Sequence, residues 1–94
     1  MKNDNQQFDL NNMMEVICFC EENDITIYVR HLWGGYQVLG VGWDVVCHSN
    51  SYGHECGLLE SMGLDWGEPE EYADVVGYLT GEKVIEGIRC KYGL

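Results

Sequence analysis

Basic residues are scarce in this sequence. Five Lys and Arg stand against sixteen Asp and Glu, for a formal charge of −11. A surface of that sign repels phosphate and anionic lipid, which argues against direct binding to nucleic acid or to an anionic membrane. It favours a basic partner, bound metal ions, or solubility alone. Proline occurs once, at Pro69, and no apolar run approaches the length of a membrane span. The opening residues, Met1-Lys2-Asn3-Asp4-Asn5-Gln6-Gln7, are polar, so no apolar export segment is expected. The cysteines are Cys18, Cys20, Cys47, Cys56 and Cys90, an odd count with no Cys-x-x-Cys spacing. The expectation is a reducing cytoplasm, with thiols packed as small hydrophobes.

What is present is enough for one core. The 94 residues make a single domain, 1–94, of which 1–8 read as a flexible leader. The apolar share is 46%, and three Trp, six Tyr and two Phe can fill an interior, too many for a disordered chain.

From Asp9, a plausible N-cap, Leu10, Met13, Met14, Ile17 and Cys18 fall at the i, i+3, i+4, i+7, i+8 spacing of an amphipathic helix. Residues 25–30 alternate as a strand, with Ile25, Ile27 and Val29 to one side and Thr26, Tyr28 and Arg30 to the other. The glycines after Trp33 supply a hairpin turn. The stretch from Tyr36 to His48 then reads with period two as a second strand. Its odd positions Leu39, Val41, Trp43, Val45 and Cys47 are expected on the core, and its even positions, Tyr36 among them, outside. A loop follows to Gly53. A short helix is expected from His54, with Cys56, Leu58, Leu59 and Met62 apolar and Gly63 closing it. Pro69, Glu70 and Glu71 suit the start of another, with Tyr72, Val75, Val76 and Leu79 as its apolar side. Thr80 can cap a last helix from about Gly81 to Tyr92, with Val84, Ile85 and Ile88 inward. The fold class expected is α+β: an N-terminal helix, an antiparallel β-hairpin or small antiparallel sheet, then two to three short C-terminal helices packed on one face. A third strand is expected from the Asp44–His48 end or from the N-terminal segment.

Several residue groups could carry chemistry. Cys47, His48, His54 and Cys56 hold enough ligands for a tetrahedral zinc, and a Cys–His pair among them could serve as nucleophile and base. The spacing speaks against zinc, because adjacent strand residues such as Cys47 and His48 point to opposite faces. No cofactor, no metal and no catalytic residue is therefore expected. Cys18 and Cys20, one residue apart, lack redox-pair spacing, and Gly40-x-Gly42 without a following helix does not cradle phosphate.

Two sets suit binding. Asp65, Glu68, Glu70, Glu71 and Asp74 surround the expected third helix. Residues four apart on a helix lie about 6 Å apart along its axis, near the phosphate spacing of a nucleic-acid strand, so such a surface could occupy a basic groove. A solvated acidic face is the plainer account. The aromatics Tyr28, Trp33, Tyr36, Tyr52, Trp66 and Tyr78 exceed what so small a core must hold. Tyr28 and Tyr36 are expected on the open side of the hairpin and Trp33 at its tip, where they could anchor a partner.

The segment from Cys47 to Gly63, with Val75-Val76-Gly77-Tyr78-Leu79-Thr80-Gly81-Glu82-Lys83-Val84, resembles small acidic accessory proteins of phages and bacterial mobile elements. The resemblance covers less than half of the chain and brings no catalytic residue. It implies binding without catalysis, directed at host defence machinery such as CRISPR effectors in the host cytoplasm. The expectation is a protein-binding module whose partner-binding residues are Asp65, Glu68, Glu70, Glu71, Asp74, Tyr28, Trp33 and Tyr36. Its partner would be a basic host protein, such as a nucleic-acid-binding effector. Neither nucleic acid nor membrane is expected to bind directly. Two further expectations are a homodimer scaffold using an exposed sheet edge and a zinc or Cys/His-site protein.

Overall fold

The computed structural model describes residues 9–64 and 75–94 and shows an α+β fold. Helix α1 spans Asn11–Glu22. Strands β1 (Tyr28–Leu32), β2 (Gly35–Gly40), β3 (Trp43–Cys47), β4 (Leu59–Met62) and β5 (Val75–Leu79) follow, and helix α2 (Gly81–Tyr92) closes the chain. A 3-10 turn at His54–Cys56 interrupts the β3–β4 connection. The five strands pair in sequence order, each antiparallel to the next. Among the described residues no helix is long and apolar enough to cross a membrane.

The long strand expected from Tyr36 to His48 is two strands. Gly40 pairs with Trp43 across a two-residue turn, Val41-Gly42, whose Gly42 sits at φ 83. A two-residue turn inverts the parity of the inward face. The cross-strand pairs Tyr36↔Cys47, Val38↔Val45 and Gly40↔Trp43 share one side, so even residues of β2 join odd residues of β3. Leu39 therefore lies on the opposite side from Val38. Val41, expected inward, is 79% exposed at the tip of the turn. The same inversion occurs at Trp33-Gly34, where Leu32 pairs with Gly35. It sets Tyr36 on the opposite side from Tyr28. Tyr36 is half-buried against the core, with its ring 5.2 Å from that of His31.

Both helices cover the Val38, Trp43, Val45, Cys47 side of the sheet, to which β4 and β5 add Leu59 and Leu79. α1 contributes Met13, Val16 and Cys20, with Leu10 and Ile17 packed against them; of the expected stripe Met14 and Cys18 are exposed. α2 contributes Val84 and Ile88 as expected, and its Thr80 cap accepts a hydrogen bond from the Lys83 amide at 3.1 Å. The helices run in the same direction. Asn12 on the first turn of α1 accepts from the Gly81 amide at 2.8 Å, while Arg89 near the end of α2 lies over the Phe19 ring at 5.8 Å. Asn12 also donates to the Gly57 carbonyl at 3.0 Å, joining three segments through one amide. The N-cap is Leu10, with no side-chain cap bond, and not the expected Asp9, which stands one residue earlier and accepts from the Asn11 amide at 3.0 Å.

Two expected helices are corrected. The residues after His54 form only the 3-10 turn, and Leu59–Met62 is a strand. The alternation Leu59, Ser61 inward against Glu60, Met62 matches a sheet that already presents Val45 and Val46 as partners. Residues Val75–Leu79, expected on a helix, are β5. The start of that expected helix lies outside the described residues. The third strand comes from Trp43–Cys47, which overlaps the Asp44–His48 end proposed from sequence.

Candidate partner-binding surface

Because the sheet is a meander, β1, β3 and β5 end where β2 and β4 begin. That end carries the Trp33-Gly34 turn, the β3–β4 connection and the β5 bulge, and all three bring aromatic rings into solvent. Trp33, Tyr52 and Tyr78 are 60%, 62% and 64% exposed, and Tyr28, on the face of β1 away from the two helices, is 64% exposed. Isolated exposed apolar residues are ordinary, but three large rings at one end of a sheet are not.

The backbone beneath these rings is unusual. Trp33 sits at φ 47 and Tyr78 at φ 57, and among the described residues only Asp24 shares a positive φ without being glycine. The left-handed region costs a residue with a Cβ about 1–2 kcal/mol, and bulky aromatics rarely adopt it. Trp33 takes the first central place of a turn with positive φ at both central residues, a place that suits Asn, Asp or Gly. Tyr78 belongs to a bulge. Between Leu59↔Leu79 and Ser61↔Val76, β4 has one residue and β5 has two.

The loop that carries Tyr52 is closely bonded. His48 donates its amide to Ser51 Oγ at 3.0 Å, and the Ser51 amide returns to the His48 carbonyl at 3.0 Å. The Asn50 amide donates to His48 Nδ1 at 3.1 Å, which places the ring proton of neutral His48 on Nε2. The Trp33 ring meets His48 edge-on at 5.0 Å, and the Ser49 amide donates to the Trp33 carbonyl at 3.1 Å. The Tyr52 amide donates to Glu60 Oε1 at 2.8 Å. Tyr52 and Tyr78 stack, with centroids 6.2 Å apart and planes 28° apart.

No family model, curated protein or solved structure matches this chain.

The residues singled out from sequence fall as follows. Trp33 and Tyr28 are exposed as expected, and Tyr36 is turned toward the helices. Asp65, Glu68, Glu70, Glu71, Asp74 and Trp66 lie outside the described residues. Cys47, His48, His54 and Cys56 do not converge: among the described residues no three His, Cys, Asp or Glu side chains are placed to hold a metal ion. Cys47 is fully buried on the helix side, where loss of solvent, and secondarily the Asp9 charge, pushes its thiol above the usual range. His48 is committed to Asn50 and Trp33, and His54 Nδ1 bonds the Ser51 carbonyl at 2.7 Å. Cys56 is exposed on the 3-10 turn.

Glu60 was not singled out from sequence, and Tyr52 and Tyr78, named there among the surplus aromatics, were not expected to meet. Their signal was present as glycine–aromatic neighbours, Tyr52-Gly53 and Gly77-Tyr78. A Cβ on Gly77 would stand 2.6 Å from Tyr52 Cβ, and one on Gly53 would stand 3.2 Å from Tyr78 Cα. Each glycine makes room for the tyrosine of the other segment.

On the face of the sheet away from the two helices, where Gln37 and Val46 are buried, Arg30 Nε donates to Gln37 Oε1 at 2.7 Å and Gln37 Nε2 donates to Asp44 Oδ2 at 2.6 Å. One of the few cations is thus engaged within the fold.

Proposed function

We propose that the chain is a non-catalytic protein-binding module, a phage-type accessory or anti-defence protein of the host cytoplasm. It docks on a basic, nucleic-acid-binding surface of a host protein. The observation that carries this reading is the pair of exposed aromatics, Trp33 and Tyr78, held on left-handed backbone. Strain of this kind lowers the stability of the free chain, and solvent-exposed rings return little of it, so a partner that covers the rings is its natural counterpart. The charge of −11 sets the sign of that partner and steers its approach. The acidic residues at Asp65, Glu68, Glu70, Glu71 and Asp74 would add to that field.

The test is capture from bacterial lysate on the immobilised chain at about 50 mM and about 500 mM salt. The captured protein is then assayed for nucleic-acid binding in the presence of the chain. A basic protein retained at low salt, released at high salt and competed away from its nucleic acid is the expected result. Retention indifferent to salt, or a captured protein that binds both ligands at once, overturns it.

A further inference from the structure

The stacked tyrosines at the end of β5 have more specific chemistry than a greasy patch. Tyr52 and Tyr78 come from different segments, each is admitted by a glycine of the other, and both rings remain about two-thirds exposed, at 62% and 64%. Their planes are only 28° apart, so the two rings lie nearly parallel and their faces share one direction. Glu60, partly exposed on the side of β4 away from the two helices and opposite Val46, is tied to this segment by the Tyr52 amide at 2.8 Å. A carboxylate has acceptor sites beyond that one bond. Flat aromatic faces beside a carboxylate match a planar cation, whose face stacks on a ring while its N–H groups donate in plane.

We propose that Tyr52, Tyr78 and Glu60 form a seat for an arginine side chain of the basic partner, an assignment that rests on the function proposed above. Charge complementarity selects the occupant. On a chain of charge −11, a seat lined by two rings and a carboxylate disfavours an acidic segment and gains nothing special from an aliphatic one. Arginine is favoured over lysine because guanidinium is planar and weakly hydrated, whereas ammonium is a strongly hydrated point charge.

The seat is tested by titrating the full chain, followed by nuclear magnetic resonance, with two synthetic peptides of equal length and charge. One is an Arg-Gly-Gly repeat and the other a Lys-Gly-Gly repeat. The Arg peptide is expected to bind about threefold or more tightly than the Lys peptide, with the Tyr52 and Tyr78 ring resonances moving most. Tyr78→Gly, which removes the ring and relieves the left-handed backbone, and Tyr52→Ala should each bring the Arg peptide to the affinity of the Lys peptide. The melting temperature of Tyr78→Gly is expected at or above that of the parent, so lost affinity in that variant is not lost fold. Equal binding of the two peptides, unchanged in both variants, overturns the seat and leaves the basic-partner reading standing on charge alone. Failure of both peptides to bind at low salt overturns the two together.

Discussion

At the scale of single residues, positive φ separates architecture from function. Asp24, at φ 55, has an architectural reason. It follows the Asn23 cap of α1, and the Ile25 amide returns to the Cys20 carbonyl at 2.9 Å while the Asp24 amide reaches the Glu21 carbonyl at 3.4 Å. That is a Schellman closure, which prefers glycine where Asp24 stands. Asp24 also places a negative charge at the negative end of the helix. Asp24→Gly should therefore raise stability by about 1 kcal/mol, read as a rise in the unfolding midpoint. Trp33 and Tyr78 stand in the same backbone region without a helix to terminate. The buried thiols also act one residue at a time. Burial pushes Cys20 from 9.0 to about 11 and moves Cys47 in the same direction. A thiol whose pKa is raised on folding contributes its full stability below the unfolded value and loses it as pH rises. Thermal stability should thus fall as pH climbs from about 9 to about 11, with a shallower fall in Cys20→Ala. Alkylation at neutral pH should label Cys18, Cys56 and Cys90 quickly, and Cys20 and Cys47 only after unfolding.

At the scale of elements, legibility followed local signals. α2 was readable almost to the residue, because a threonine cap, a 3.6-residue stripe and Arg89 and Lys91 near its end all agree. Thr80→Ala should lower stability by about 1 kcal/mol, measured by denaturant unfolding, since it orphans the Lys83 amide. The sheet was half-readable. Its strands alternate, but Val41-Gly42 carries no Asn-Gly or Asp-Gly signature, so a turn passed for strand; the inward face expected for β3 is correct, and the one expected for β2, before the turn, has the wrong parity. Gly40 held the missing information. A Cβ there would stand 2.0 Å from the Trp43 indole, so the glycine exists to let Trp43 lie across β2. The indole then donates to the Tyr92 hydroxyl at 2.8 Å and ties the sheet to the last turn of α2. Gly40→Ala should displace the indole and lower stability by about 2–4 kcal/mol, with loss of the near-ultraviolet signal of Trp43, while Val41→Ala at the exposed tip stays within about 0.5 kcal/mol of the parent. The candidate site was legible only in part, because its rings are placed by a bulge and by glycine contacts between distant segments, neither of which has a period. Tyr36 was misassigned by the parity error alone, Tyr52 sits in a connection whose backbone bonding no alternation encodes, and Glu60 lies on β4, a segment expected to be helical.

At the scale of the whole molecule, charge acts on fold and partner with opposite signs. Sixteen carboxylates against five cations repel one another in the compact state. Little inside the described structure relieves this: Arg30 reaches Asp44 only through Gln37, and the Lys83–Glu86 contact of 3.0 Å is an exposed pair of small worth. The end of α1 makes matters worse, since Glu21, Glu22 and Asp24 gather where the helix dipole is already negative. Screening should therefore stabilise the free chain. Raising salt from about 20 mM to about 500 mM shortens the Debye length from roughly 20 Å to about 4 Å, enough to silence repulsion between separate elements. The unfolding midpoint of the free protein should rise over that range, while its affinity for a basic partner, or for the Arg-Gly-Gly peptide, should fall. A neutral additive such as sucrose would raise the midpoint without weakening the complex, which separates screening from general stabilisation. A midpoint that drops with salt would mean that the carboxylates are compensated within the fold, and the surplus negative charge would then no longer be available to recruit a cationic protein.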